Sequence, residues 1–463
     1  MTNIIRLRNN TIKLTEYIGH KKYFNEIYCF ILATLVLLFW NYDSMIGMVV
    51  MASLAAIIIL MTNDLKYALP CIIYIIFILN HGFLADVIPY NILIALGVFA
   101  LVLGIYTIRN GFHIHKMKSI IGLLGLAIFQ IIPIFWNTTI TNQSTLYLLY
   151  FADAAYLLIY IIVASGIKKN ALELVSVAIS YLGVIIAIEC ITRVIELKDT
   201  VDNVLSLRYH LGWGRENEAG IMLCFCLPFS FYLISKTPQA RFMFMHNIKI
   251  LLCIVGIILT NARGAYIFGL AEIIILYIAT FFFAKAKFKY LQFIVLFVSL
   301  VFITVAIFGK EAIKLYDDIL ERVFYNNLNN NGRLELWLMA LDRFHEKPLF
   351  TAFGAGMVAD IGATDTPEGL QQGVIVYHST IFETLAISGL FGFFFLLVHF
   401  AEKYRSLTYT NYNFMQIIGI GFLLVGLYGF IDNTYHMFYF MIPMVIVLAT
   451  IDANSYEEFN KLF

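Results

Sequence analysis

The residues able to do chemistry in this chain are few, and most are basic. Arg263 stands between two apolar runs, in Thr260-Asn261-Ala262-Arg263-Gly264-Ala265. Arg333 follows Asn329-Asn330-Asn331-Gly332 and opens an amphipathic stretch. His378 lies in Tyr377-His378-Ser379, where a long polar segment gives way to apolar sequence. Arg208 and Arg215 share a second polar segment. A guanidinium presents a planar fork of donors that matches phosphate oxygens. An imidazole, with an ordinary pKa of about 6.5, accepts a proton near neutral pH. Together they suit a site that clamps an anionic group and moves a proton.

Each residue also has a plainer reading. Arg263 could snorkel to a membrane interface. Arg333 could pair with Glu335 or Glu321 as an ordinary loop-to-helix arginine. A histidine at a membrane boundary is more often a hydrogen-bonded interfacial residue than a catalyst. Asn217, in Asn217-Glu218-Ala219-Gly220, could simply open a helix near its N-cap.

The elements that must position these residues are membrane spans. Of 463 residues, 61% are hydrophobic and 13% charged, and the mean hydropathy is +0.83. Ordinary soluble domains are about 45–50% apolar and about 25% charged. The sequence therefore predicts an all-α polytopic membrane protein. Apolar runs of spanning length fall at 24–40, 45–61, 67–84, 90–106, 119–135, 146–165, 171–190, 217–234, 248–261, 264–283, 290–308, 379–400, 413–431 and 436–451. The 248–261 and 264–283 runs are split only by residues 261–263 and could form one bent or re-entrant element, so the expected count is twelve to fourteen spans. The lipid bilayer is the first partner. A net charge of +1 gives no nucleic-acid footprint. The six cysteines fall in or beside apolar runs and read as packing residues. The basic N-terminal stretch lacks the apolar core and cleavage site of a removable signal peptide.

Lysine and arginine placement sets the expected orientation. With the N-terminus inside, 20 of the 31 fall in segments that would be cytoplasmic, and the short outer loops at 41–44, 85–89, 136–145 and 432–435 hold none. Both termini are then cytoplasmic. Outer basic charge is confined to the 193–215 segment, Arg263 and the long loop, three places that could converge on one anionic ligand. No internal repeat is visible, so the chain reads as a single membrane domain, 1–463, with a large extracytoplasmic loop at 309–378. Two amphipathic helices are expected in that loop. Residues 311–325 put Ile313, Tyr316, Leu320 and Phe324 on one face. Residues 334–346 do the same with Leu334, Trp337, Leu341 and Phe344, and Pro348 stops the helix. Residues 357–377 lack periodicity. The loop's acids, Asp317, Asp318, Asp360 and Asp365, form no tight cluster with histidine, so no metal site is expected.

Four motifs in order over about 217–400 resemble the O-antigen ligase/polymerase superfamily. They are the helix start Asn217–Gly220, then Arg263-Gly264-Ala265-Tyr266-Ile267, then Gly332-Arg333 with Trp337, Pro348-Leu349 and the Gly354–Gly356 turn. The fourth is His378-Ser379 followed by nine residues, Gly389, two residues and Gly392. The first 200 residues match only in being helical. The resemblance implies a GT-C-like membrane glycosyltransferase in the bacterial cytoplasmic (inner) membrane, acting at the extracytoplasmic face and needing no cofactor. Its donor would be an undecaprenyl-diphosphate-linked glycan and its acceptor a glycan hydroxyl. Arg263 and Arg333, with Arg208 or Arg215, would hold the diphosphate, and His378 would take the acceptor's proton with inversion at the anomeric carbon. Polymerisation of O-antigen, capsule or exopolysaccharide repeat units is the favoured reaction, with a chain-length regulator as a partner it could use. A ligase moving the finished glycan to lipid A-core or another acceptor is the alternative. A transporter of lipid-linked sugars is a second, disfavoured because repeated halves are missing and polar elaboration is one-sided.

Overall fold

The computed structural model describes residues 22–42, 44–62, 64–82, 90–111, 113, 117–137, 150–167, 171–197, 216–307, 309, 313–314, 317, 320, 333–357, 377–408, 415–435 and 437–459. The described residues form helices and no strand. In chain order the α-helices are α1 (Lys22–Tyr42), α2 (Ser44–Met61), α3 (Leu69–Gly82), α4 (Tyr90–Asn110), α5 (Ile120–Ile131), α6 (Ala152–Gly166), α7 (Ala171–Leu197) and α8 (Glu216–Lys236). They continue as α9 (Ala240–Leu259), α10 (Arg263–Phe283), α11 (Lys287–Ile307), α12 (Arg333–His345), α13 (Pro348–Phe353), α14 (Thr380–Thr408), α15 (Met415–Tyr428) and α16 (Phe438–Phe459). Among the described residues, each of the apolar runs read from the sequence contains a helix, because a backbone in lipid must satisfy its own hydrogen bonds. Six described helices are long and apolar enough to cross a membrane, and six more are shorter apolar helices. The chain is an all-α polytopic membrane protein. The runs at 248–261 and 264–283 are separate helices, α9 and α10.

The described residues group into two compact units. The first comprises residues 1–175, 333–409 and 429–463. Its α5 and α14 approach closely because glycines face the contact. A Cβ on Gly122 would lie 2.4 Å from His399 Cα, and one on Gly125 would lie 2.0 Å from the Phe395 ring. Phe129 stacks on Phe391 and Phe395, at 5.3 and 5.4 Å between centroids. The start of α5 is capped by carboxylates from elsewhere in the unit. Asp452 accepts the Ser119 amide at 3.0 Å and the Tyr160 hydroxyl at 2.6 Å on one oxygen, and the Ser406 hydroxyl at 2.5 Å on the other. Glu402 accepts the amides of Ile121 and Gly122. These are first-turn amides that a helix cannot satisfy itself.

The second unit comprises residues 176–332 and 410–428. Its centre is α8, buried from Ala219 to Ser235. Pro228 removes one amide from that helix, and Gly421 of α15 makes room for its ring, since a Cβ there would meet Pro228 Cγ at 1.9 Å. Phe225 stacks on Phe422 at 5.8 Å. All six cysteines, in either unit, are buried and unbridged. Of the two helices expected in the long loop, the second is α12; most of the first, at 311–325, lies outside the described residues, as do 358–376.

Asp452 should be the more costly of the two capping carboxylates to remove. Asp452→Ala removes three buried hydrogen bonds, those from the Ser119 amide and the Tyr160 and Ser406 hydroxyls, and at about 1 kcal/mol each it should lower stability by roughly 3 kcal/mol. A thermal melt in detergent that matches wild type would contradict this.

Candidate functional site

In the first unit a buried carboxylate gathers two of the residues singled out by sequence. Asp432 sits in the short connection between α15 and α16, with its side chain 2% exposed. That connection is fastened to the start of α14. Thr380 donates its amide to Gly429 O at 2.9 Å, and the Thr434 amide donates to Thr380 Oγ1 at 3.2 Å. The two threonine hydroxyls are also 3.2 Å apart. Asp432 Oδ1 accepts the next amide, from Asn433, at 2.9 Å and faces His378 Nδ1 at 3.2 Å. Oδ2 accepts Arg333 Nη2 at 3.3 Å. Arg333 therefore pairs with Asp432; Glu321 lies outside the described residues.

A carboxylate at this position can only accept, so Nδ1 of His378 carries the proton and Nε2 becomes the accepting nitrogen. His378 has φ +49°, a left-handed backbone that costs a non-glycine residue about 1–2 kcal/mol. Neighbouring bonds hold it there: the Tyr377 amide donates to Glu383 Oε2 at 2.7 Å, and the Glu383 amide to Ser379 O at 2.9 Å. Burial pushes the Tyr377 phenol up to about 12, so it stays protonated at neutral pH and does not compete as a base. Ser379 is buried at this helix start.

Helix α12 carries Arg333 and lies against α14 through Trp337 of the expected face and the neighbouring Ala340. Trp337 stacks on Phe382 at 5.1 Å, and Ala340 packs with Tyr377 and Ala386, flanked by Leu336. Of the residues expected on one face, Phe344 is buried as well, while Leu334 is 46% exposed. The small Ala340 allows the close approach that sets the rotation. Pro348 does more than end α12. It stands at the first turn of α13, where its missing amide costs nothing.

The glycines of the last motif shape the backbone around this constellation. At Gly389 (φ 66°, ψ −163°) α14 leaves helical geometry. The carbonyls of Ala386 and Ile387 then accept the amides of Ala355 and Gly356, at 2.8 and 3.2 Å. Gly354 has φ +88°, and a Cβ there would meet Ile387 O at 2.0 Å. Trp136 Nε1 donates to Gly354 O at 3.0 Å, and Tyr150 accepts the Met357 amide at 2.8 Å. Gly392 lies one turn on, where a Cβ would meet Ser388 Cβ at 2.2 Å.

Arg263 belongs to the second unit and is the first residue of α10. Asn261 precedes it with φ +58°, and Ala262 is extended. The turn is locked by Tyr266, whose hydroxyl donates to Ile258 O at 2.8 Å, and by Thr260 Oγ1, which donates to Ile257 O. Arg263 is half-buried at a helix N-terminus, where the helix dipole favours an anion. Gly264 makes room for the Tyr428 ring, 2.4 Å from where its Cβ would be. Asn217 is in the first turn of α8, and Gly220 lets that helix meet Ala265, whose Cβ would be 2.6 Å away. Arg208 and Arg215 lie outside the described residues. Among the described residues no three His, Cys, Asp or Glu side chains gather as metal ligands would.

Asp432 escaped the sequence reading. Its one signal is an acid in a short connection between apolar runs, the same setting that drew attention to Arg263. Residues 248–397 match the family model described as O-antigen ligase, which supports the O-antigen ligase/polymerase superfamily for this chain. The matched stretch takes in Arg263, Arg333 and His378 and ends before Asp432. No curated protein matches the chain.

If Asp432 fixes the tautomer, Asp432→Asn should release it, because an amide can donate as well as accept. Imidazole 15N spectra should show His378 protonated on Nδ1 in the wild type and mixed in the variant. An unchanged His378 signal would contradict the assignment.

Proposed function

We propose that this chain, an O-antigen ligase/polymerase superfamily member by its residues 248–397, polymerises undecaprenyl-diphosphate-linked oligosaccharide repeat units at the outer face of the bacterial inner membrane. The observation that carries the reading is the pairing of His378 and Arg333 on buried Asp432. His378 Nε2 takes the proton of the acceptor hydroxyl as its oxygen attacks the anomeric carbon. The bond from that carbon to the diphosphate oxygen breaks, and polyprenyl diphosphate leaves with the electron pair. The proton passes to solvent. Direct attack inverts the anomeric centre. A guanidinium has five N–H donors, so Arg333 can pair with Asp432 and still reach a phosphate oxygen. Arg263, at a helix start, is assigned to the donor's diphosphate, and Arg208 and Arg215 are further candidates for that role. A diphosphate is already a good leaving group, so fixed positive charge is the main help it needs. The lysine and arginine distribution supports an outward-facing 309–378 loop and cytoplasmic termini. A chain-length regulator would act on the growing product.

The test uses purified protein in lipid with lipid-linked repeat units as both donor and acceptor. A ladder of lengthening products is expected. Transfer only to an added lipid A-core acceptor would overturn polymerisation in favour of ligation. His378→Ala should lose about 10²–10⁴ in rate, as for other general bases, while still binding donor. Arg263→Lys should lose donor binding and about 10²–10³ in rate, because a point charge cannot reproduce the fork. His378→Ala with weakened donor binding and normal transfer at saturating donor would move His378 to the diphosphate site.

A further inference from the structure

One end of the second unit carries concentrated positive charge that glycan transfer does not use. The α8–α9 and α10–α11 turns meet there. Lys285 donates its amide to Ser235 O at 3.0 Å, and Lys289 Nζ donates to Pro238 O at 3.2 Å. These bonds join the turn flanked by Lys236 and Arg241 to the one that carries Lys285, Lys287 and Lys289. No Asp or Glu occurs from residue 219 to 271 or from 273 to 310, so neither turn brings an acid of its own to the cluster.

The surroundings identify what meets this surface. The outward face of α10 is exposed and apolar through Ile274, Ile278 and Phe282, and that of α11 through Phe288, Leu291 and Val295. In a membrane protein such faces contact acyl chains. The three lysines stand where both faces end, which is headgroup level. Phe288, between Lys287 and Lys289, is 86% exposed. An aromatic ring flanked by ammonium groups can sink into the interface while the charges remain among phosphates. A soluble protein partner would account for the charges but not for their continuity with the lipid-facing slopes.

We propose that the paired turns form a docking surface for anionic phospholipid headgroups, on the leaflet that the charge distribution assigns to the cytoplasm. Lys285, Lys287 and Lys289 supply the attraction and Phe288 the anchor. Each lysine near an anionic membrane surface strengthens attraction by about fivefold, and added salt screens it. The surface shares no residue with the His378 site, so the proposal stands or falls independently of the transfer reaction.

The test is competition between phosphatidylglycerol and phosphatidylcholine for the full-length protein in mixed nanodiscs, with co-purifying lipid read by native mass spectrometry. Wild type should retain phosphatidylglycerol in excess, and the excess should fall as salt rises. Lys285→Gln/Lys287→Gln/Lys289→Gln should lose most of it, whereas the corresponding triple arginine variant should keep it. Phe288→Ser should weaken retention of both lipids alike. Equal retention of the two lipids by wild type, an excess insensitive to salt, or an undiminished excess in the glutamine variant would each overturn the proposal. The wild-type salt series decides the matter even if the glutamine variant fails to fold.

Discussion

A carboxylate removed from water must be paired or it destabilises the fold by several kcal/mol. Asp432 meets that demand with Arg333 on one oxygen and His378 with a backbone amide on the other. The three residues come from segments far apart in sequence, so their meeting constrains much of the first unit. The α15–α16 connection must be held at the start of α14, which the Thr380–Thr434 contacts do. The start of α12 must reach the same point, which the stacking of Trp337 on Phe382 secures. The left-handed backbone at His378 is tolerable only because these contacts over-determine it.

The rest of the first unit supplies the rigidity. The break in α14 at Gly389 would leave carbonyls unsatisfied in a membrane. The Gly354–Gly356 turn fills that need with its own amides, which ties α13 and the polar loop to the membrane helix bearing His378's neighbours. At the far end of the same helix, Ser406 and Glu402 join Asp452 around the start of α5. One long helix is thus fastened at its start, its break and its end.

The helices were legible because lipid leaves few alternatives to an apolar helix, and each apolar run holds one among the described residues. Arg263, Arg333 and His378 were legible as polar residues at the edges of such runs. Asp432 was not, because its meaning lies in contacts across 54 and 99 residues of chain, which no local spacing encodes. The contact of α12 with α14 was legible at Trp337 but not at Ala340. Periodicity weighs hydrophobicity, whereas the contact with α14 is set by a small residue, Ala340, that lets the helices close. Gly264, Gly389 and Gly392 stood out as motif positions, but their reason is steric: two make room for neighbouring side chains, and Gly389 takes a backbone conformation that disfavours a Cβ.

The central claim is that Asp432 acts through His378. A double-mutant cycle measures this directly. Transfer rates would be compared for His378→Ala, Asp432→Ala and the double variant, with folding verified for each. If the carboxylate serves the imidazole, its loss should add little once His378 is gone, and the double variant should be about as slow as His378→Ala. Rate losses that multiply across the two sites would show Asp432 working independently of His378 and contradict the account.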